Sequence, residues 1–178
     1  TLLDTVGPAG REVAKAAGLS RGSFYTYFPT KRDVLLAVGA HSAAESAAVV
    51  DKIALLEPSL AALVEWVDQY FEVLETHGAF AFAWTQAARQ DDEIRIAGIK
   101  GHLRLCERLG KALGALGGRT IDDPVIVGLT AFSTIERAWD YCRLYGDSVD
   151  ERAMRVEIAR SLWAVTRNLP AKGRVTDR

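Results

Sequence analysis

Cysteine is scarce: Cys106 and Cys142 are the two in a chain of 178 residues. They form no CxxC pair and cannot build a disulfide framework, which excludes a disulfide-stapled secreted scaffold and points to a reducing, cytoplasmic setting. Long apolar runs are missing as well. The longest, Ala79 to Trp84, falls far short of the roughly 20 residues of a membrane-spanning helix, so no membrane partner is expected. Thr1-Leu2-Leu3-Asp4 carries no basic segment ahead of an apolar stretch, and no secretory leader is read there. Internal repeats, low-complexity tracts and convincing strands are also lacking. No Ser-His-Asp order, phosphate loop or HExxH pattern is found, so neither enzymatic activity nor a cofactor is expected.

Charge of one sign is not in excess. The formal net charge is -1 and the pI about 6.3, values that by themselves argue for no nucleic-acid partner. The distribution is more telling. Arg11, Lys15, Arg21, Lys31 and Arg32 stand against Glu12 alone between positions 11 and 32, whereas ten acidic and three basic residues lie between His41 and Ile96. A DNA duplex would be attracted to one end of such a molecule and repelled along its body. With 49% hydrophobic and 25% charged residues, the chain has a globular balance and can build one core or two small ones.

What is present is helical. Arg11 to Ala17 reads as a short helix stopped by Gly18, and Ser20 caps a second helix of about two turns. Pro29 disfavours helix at Phe28, and Thr30 with Asp33 forms a capping-box start for a long helix to roughly Leu56. Pro58-Ser59 starts another, with Leu60, Leu63, Val67, Tyr70, Phe71 and Leu74 at helical spacing until Gly78. Ala79 to Gln90 is expected as a separate helix. Asp91 and Asp92 open one that Gly117-Gly118 ends near Leu116. Asp123 caps and Pro124 leads a helix ending at Gly146, and Ser148 with Glu151 predicts a capping box for the last helix, to about Leu169-Pro170. The tail from 171 to 178 is polar. The fold class expected is all-α.

Two short helices joined by a glycine-bearing turn are a frame that places the second in the DNA major groove. Arg21 lies at the start of that second helix, where a guanidinium can pair with guanine. Gly22 leaves room for close backbone approach. Ser23, Tyr25 and Tyr27 carry hydroxyls able to reach phosphates or bases, while Phe24 and Phe28 face inward. Lys31 sits in the first turn of the next helix, whose free amides favour a phosphate. Arg11 and Lys15 suit the backbone across the groove. A surface helix whose tyrosines merely cover a core remains the plain alternative.

The string from Arg11-Glu12-Val13-Ala14-Lys15-Ala16-Ala17-Gly18-Leu19-Ser20 through Arg21-Gly22-Ser23-Phe24-Tyr25-Thr26-Tyr27-Phe28-Pro29-Thr30-Lys31-Arg32-Asp33-Val34-Leu35 resembles the helix-turn-helix of the tetracycline-repressor (TetR) family. The resemblance runs to about Val38. It implies operator contacts at Arg21, Ser23, Tyr25, Tyr27 and Lys31, the DNA-binding set being completed by Arg11, Ser20 and Gly22. It also implies a DNA-binding transcriptional regulator, a repressor released from double-stranded operator DNA by a small effector. A full first helix precedes this string in the family. Here Val6-Gly7-Pro8-Ala9-Gly10 follows Leu2-Leu3-Asp4 too soon, so the first helix is expected to be incomplete. The expected domains are a helix-turn-helix head over 1–38, a helical effector-binding and dimerisation body over 39–170, and the tail over 171–178.

In the body, Trp66, Tyr70, Phe71, Phe80, Phe82, Trp84 and Trp139 are core residues by default. A ligand pocket between helices draws on such residues plus a few polar groups. Trp66, Tyr70, Phe80, Trp84, His102 and Trp139 are the candidate ligand-binding set, with His77, Gln86, Arg89 and Arg104 as further polar candidates. His102 and Cys106 share a helix face, but no third or fourth ligand accompanies them, and no metal site is expected. Asp91-Asp92-Glu93 is explained by its place at a helix start. Val125, Leu129, Phe132, Ile135, Ala138, Trp139 and Cys142, then Val156, Ala159, Leu162, Trp163 and Val165, give the last two helices wide apolar faces. In TetR-like proteins such helices pair across a two-fold axis, so a homodimer through them is expected. The alternative is an all-α small-molecule-binding protein that no longer binds DNA.

Overall fold

The computed structural model describes residues 26–168, and the expectations for residues 1–25 and 169–178 lie outside it. Thr26 and Tyr27 are helical, and Phe28 to Thr30 break the helix before the next begins. Helix α1, Lys31–Asp51, starts on the expected box: the Thr30 hydroxyl accepts from the Asp33 amide at 3.2 Å, and the Asp33 carboxylate accepts from the Thr30 amide at 2.8 Å. It tightens into a 3-10 turn over Lys52–Leu55, which buries Ile53 completely. The α-helix is thus shorter than expected, although the chain keeps its course.

Helix α2 runs without interruption over Leu60–Ala88, capped by the Ser59 hydroxyl, which accepts from the Ala62 amide at 3.1 Å. Gly78 therefore does not end a helix, and no separate helix begins at Ala79. The glycine is there for proximity: a Cβ at Gly78 would overlap the Trp139 ring. Helix α3, Asp92–Leu116, is capped by Asp91, whose carboxylate accepts from the Glu93 and Ile94 amides at 3.0 and 3.2 Å. Helix α4, Pro124–Tyr145, has Asp123 accepting from the Ile126 amide at 3.1 Å and ends at Gly146, whose φ of 53° suits glycine. Helix α5 spans Glu151–Asn168. Its cap is Asp150, accepting from the Ala153 amide at 3.0 Å; Ser148 belongs instead to a 3-10 turn, Gly146–Ser148, so the expected Ser148 capping box is corrected.

The described residues hold five long α-helices and no strand, and the molecule is all-α. The core joins Val50 and Ile53 to Leu63, Trp66, Val67 and Phe71 of α2, Leu109 and Leu113 of α3, and Phe132 and Ile135 of α4. The most extensive packing is between α3 and α4. Two glycines permit it: a Cβ at Gly110 would strike the Pro124 carbonyl, and one at Gly128 the Cys106 carbonyl. Helix α5 is held to α2 by Arg155, which pairs with Asp68 at 3.2 Å and with Glu151, its guanidinium 4.6 Å from the Phe71 ring centroid.

Averaging over a window changes one expectation about apolar runs. Arg32–Leu55 is long and apolar enough to cross a membrane by length and composition, with a mean hydropathy of 1.3. Its alanines supply much of that value, and core helices of soluble proteins pass the same test. Val34, Val49 and Val50 are buried against the neighbouring helices, although 28% of the apolar window is buried in all.

Candidate functional site

Arg11, Ser20, Arg21, Gly22, Ser23 and Tyr25, expected at a DNA surface, lie outside the described residues, as does Lys15. Tyr27 is 69% exposed just ahead of α1. Lys31 is the first residue of α1, one position after the cap. Its neighbour Arg32 turns to the body: its Nε donates to Asp91 Oδ2 at 2.7 Å and its Nη1 to Glu93 Oε2 at 3.0 Å. Burial pushes the Asp91 carboxyl up, yet Arg32 and the Ile94 and Glu93 amides together hold it below its ordinary value. Asp91 thus serves twice, as the helix cap and, with Glu93, as the acceptor for Arg32, while Asp92 pairs with Arg95.

A cavity of about 630 Å³ opens between α1, α2 and α3, with Glu136 contributed from α4. This size suits a small organic ligand. Tyr70, Phe80, Trp84 and His102 of the expected set line it, together with His77 and Arg104. Trp66 and Trp139 do not. The Trp66 indole is 1% exposed and donates to the Val49 carbonyl at 2.8 Å, at the end of α1. Trp139 lies over Gly78 and donates to Glu75 at 2.8 Å. Both are satisfied by internal partners, which is why they pack rather than face the space. Gln86 and Arg89 are also outside the lining.

The walls are shaped by small residues. Gly39 of α1 and Gly98 of α3 flank the Trp84 indole so closely that a Cβ on either would press on the ring. Leu36, Val73, Leu74 and Leu105 add apolar surface. Deeper, Tyr70 stacks on Trp66 with ring centroids 5.5 Å apart, and its hydroxyl faces the Ser46 side chain. Burial raises the Tyr70 phenol, keeping it protonated. His77 Nε2 lies 2.6 Å from Glu45, which also meets His41 at 3.0 Å. The His77 hydrogen bond keeps the Glu45 carboxyl below its usual range.

Glu136 was not foreseen as a site residue. Burial pushes its carboxyl up, opposed by the nearby His102. It has neither a hydrogen bond nor an ion pair among the described residues. The signal available in sequence was its position four residues after Phe132 and three before Trp139, on the side of a helix that is otherwise apolar. His102 and Cys106, considered as metal ligands, are not brought together with a third: no metal-ligating group of three occurs among the described residues. Burial pushes the Cys106 thiol up to about 11, the state of an inert core cysteine.

Residues 10–38 match the family described as bacterial regulatory proteins, tetR family. No curated protein and no solved structure matches the chain. The matched segment contains the arginine, serine and tyrosine positions read as DNA-facing and ends within α1.

Proposed function

We propose that this chain, a DNA-binding transcriptional regulator by its TetR-family domain at residues 10–38, is a cytoplasmic homodimeric repressor released from its operator by a small effector. The head over 1–38 would contact DNA through Arg11, Ser20, Arg21, Gly22, Ser23, Tyr25, Tyr27 and Lys31. The body over 39–170 would hold the effector in the cavity of Tyr70, Phe80, Trp84 and His102, with 171–178 as a tail. The observation that carries the reading is continuity: α1 leaves the matched segment and forms one wall of the cavity. A ligand that favours one position of α1 over another thereby acts on the head.

Much of the apolar surface expected to pair in the last two helices is core of the single chain, including Phe132, Ile135, Ala138, Ala159 and Leu162, and what remains to support dimerisation is the outer face of α4. Ile126, Tyr141 and Leu144 are exposed at 55%, 40% and 71%, toward the two ends of a face that also carries Thr130, Ser133 and Arg137. The Thr130 and Ser133 hydroxyls donate to Ile126 and Leu129 of their own helix, so they need no water and allow close approach. A two-fold pair would present two heads to a near-palindromic site.

Electrophoretic mobility shifts with the intact protein and the DNA upstream of its own gene test this reading. Specific, salt-sensitive retardation is expected. Lys31→Ala should reduce the salt slope by about one, while Arg21→Ala should cost ~1–3 kcal/mol and relax preference at one base pair per half-site. Equal loss on every sequence for both variants removes the base-reading role of Arg21. No retardation of any duplex leaves the all-α binding protein as the better reading.

A further inference from the structure

Among the described residues, Glu136 is the one acidic side chain lining the cavity. Around it are the Tyr70 phenol, the Cys106 thiol and the His102 ring, the first two of which feel its charge. None of these is a permanent cation. The arginines of the lining do not relieve it either: Arg95 is held by Asp92 at 2.8 Å and is solvent-exposed, and Arg104 is likewise exposed. Glu136 is half-buried at the cavity wall, and a carboxylate there with no basic partner among the described residues offers a place for a donor or a positive charge.

The rest of the lining says what body that donor should have. Phe80 and Trp84, whose ring centroids lie 5.6 Å apart, offer an aromatic wall. Leu36, Val73, Leu74 and Leu105 surround it with aliphatic surface. Aromatic faces near a carboxylate suit a cation twice over, by the ring quadrupole and by direct pairing. Tyr70 and Ser46, whose side chains hydrogen-bond each other, add hydroxyl oxygens to the same lining. An anionic ligand would look to Arg95 and Arg104, both solvent-exposed, whose attraction is screened.

We infer that the cavity takes a small organic cation, a protonated amine on an aromatic or aliphatic body, with Glu136 as its counter-charge. The inference rests on the cavity being the effector site proposed above. It names the chemistry that site selects.

Three probes of near-identical shape separate the terms: 4-phenylbutylamine, 4-phenylbutanol and 4-phenylbutanoate, titrated calorimetrically into the intact protein. The amine is expected to bind roughly tenfold to a hundredfold tighter than the alcohol, with the acid weakest. Glu136→Gln should abolish most of the amine's advantage over the alcohol. Binding of the alcohol or acid as tight as the amine overturns the cation assignment and leaves the cavity as an effector site. Failure of all three to bind overturns the assignment together with the effector-site reading. The native-protein series needs no variant, so it decides the question even if Glu136→Gln misfolds.

Discussion

Arg32 Nη2 lies 2.6 Å from Asp91 Oδ2, which ties the second residue of α1 to the cap of α3. On one side of this pair is the segment matching the DNA-binding family. On the other is the helix that supplies Arg95, Gly98, His102 and Leu105 to the cavity. Glu93 adds a second acceptor at 3.0 Å, so the guanidinium is gripped by two carboxylates from one turn. Such forked pairing fixes orientation as well as distance. On the function proposed above, this pair is the contact through which a shift of the first turn of α3 would reach α1.

Arg32→Gln and Asp91→Asn break this tie from opposite sides. The first removes a positive charge and the second a negative one, while Asn keeps the capping ability of Asp91. Were net charge alone at issue, their operator affinities would move in opposite directions. Orientation of the head by the tie makes both weaken binding, on the order of fivefold each. Titration of both variants against the same duplex by fluorescence anisotropy distinguishes the cases. Their melting temperatures should stay near that of the native protein, because the pair is solvent-screened.

Gly128→Ala tests the α3–α4 contact. The added methyl would meet the Cys106 carbonyl, a backbone atom that cannot rotate away. Helix α4 must then move off α3, at a cost of about 2 kcal/mol or more. Gly101→Ala is the matched control, since a Cβ there meets nothing within 4 Å. It should stabilise the helix by roughly 0.5–1 kcal/mol. Urea unfolding of the two variants is expected to give opposite signs.

Trp66→Phe keeps most of the buried ring and deletes the bond from Nε1 to the Val49 carbonyl, 2.8 Å long in the native protein. That carbonyl also accepts from the Lys52 amide at the α1 end, so it is not left wholly bare. The expected loss is about 1 kcal/mol in a chemical denaturation experiment. A loss several times larger would mean that the indole also shapes the cavity wall behind Tyr70.

Helix starts were legible in the sequence because their signals are local. Thr30 with Asp33, Ser59, Asp91, and Asp123 with Pro124 each lie within three residues of the amides they serve. Ser148 misled because Asp150, two residues later, offered the better-placed oxygen. Gly78 misled for a deeper reason. A glycine that stops a helix and one that admits a neighbour look alike in sequence, and the neighbour, Trp139, is far away along the chain. The cavity was half legible: aromatics at helical spacing marked Tyr70, Phe80 and Trp84, but not which of them would find internal partners. Trp66 and Trp139 did so through Val49 and Glu75. The tie at Arg32 was hidden because a basic residue beside Lys31 reads as one more DNA-facing charge.

Glu136 gives a pH-dependent stability whose sign follows from its environment. Burial raises its folded-state pKa above the ordinary 4.5, with His102 pulling the other way. Below that ordinary value both folded and unfolded chains carry the proton, and the residue costs nothing through its charge. As pH rises, the unfolded chain ionises first while the folded one still holds its proton, so stability falls until the folded pKa is passed and then levels off. Glu136→Gln has no such loss. The variant should match the native protein well below pH 4.5 and exceed it at pH 8. His102 faces Glu136 from α3 and opposes its upward shift, so the comparison is repeated in a His102→Asn background. There the advantage of Glu136→Gln should persist or grow, because the opposing imidazolium is gone. An advantage that vanished with His102 would assign the pH dependence to the histidine and remove the buried carboxyl as its source.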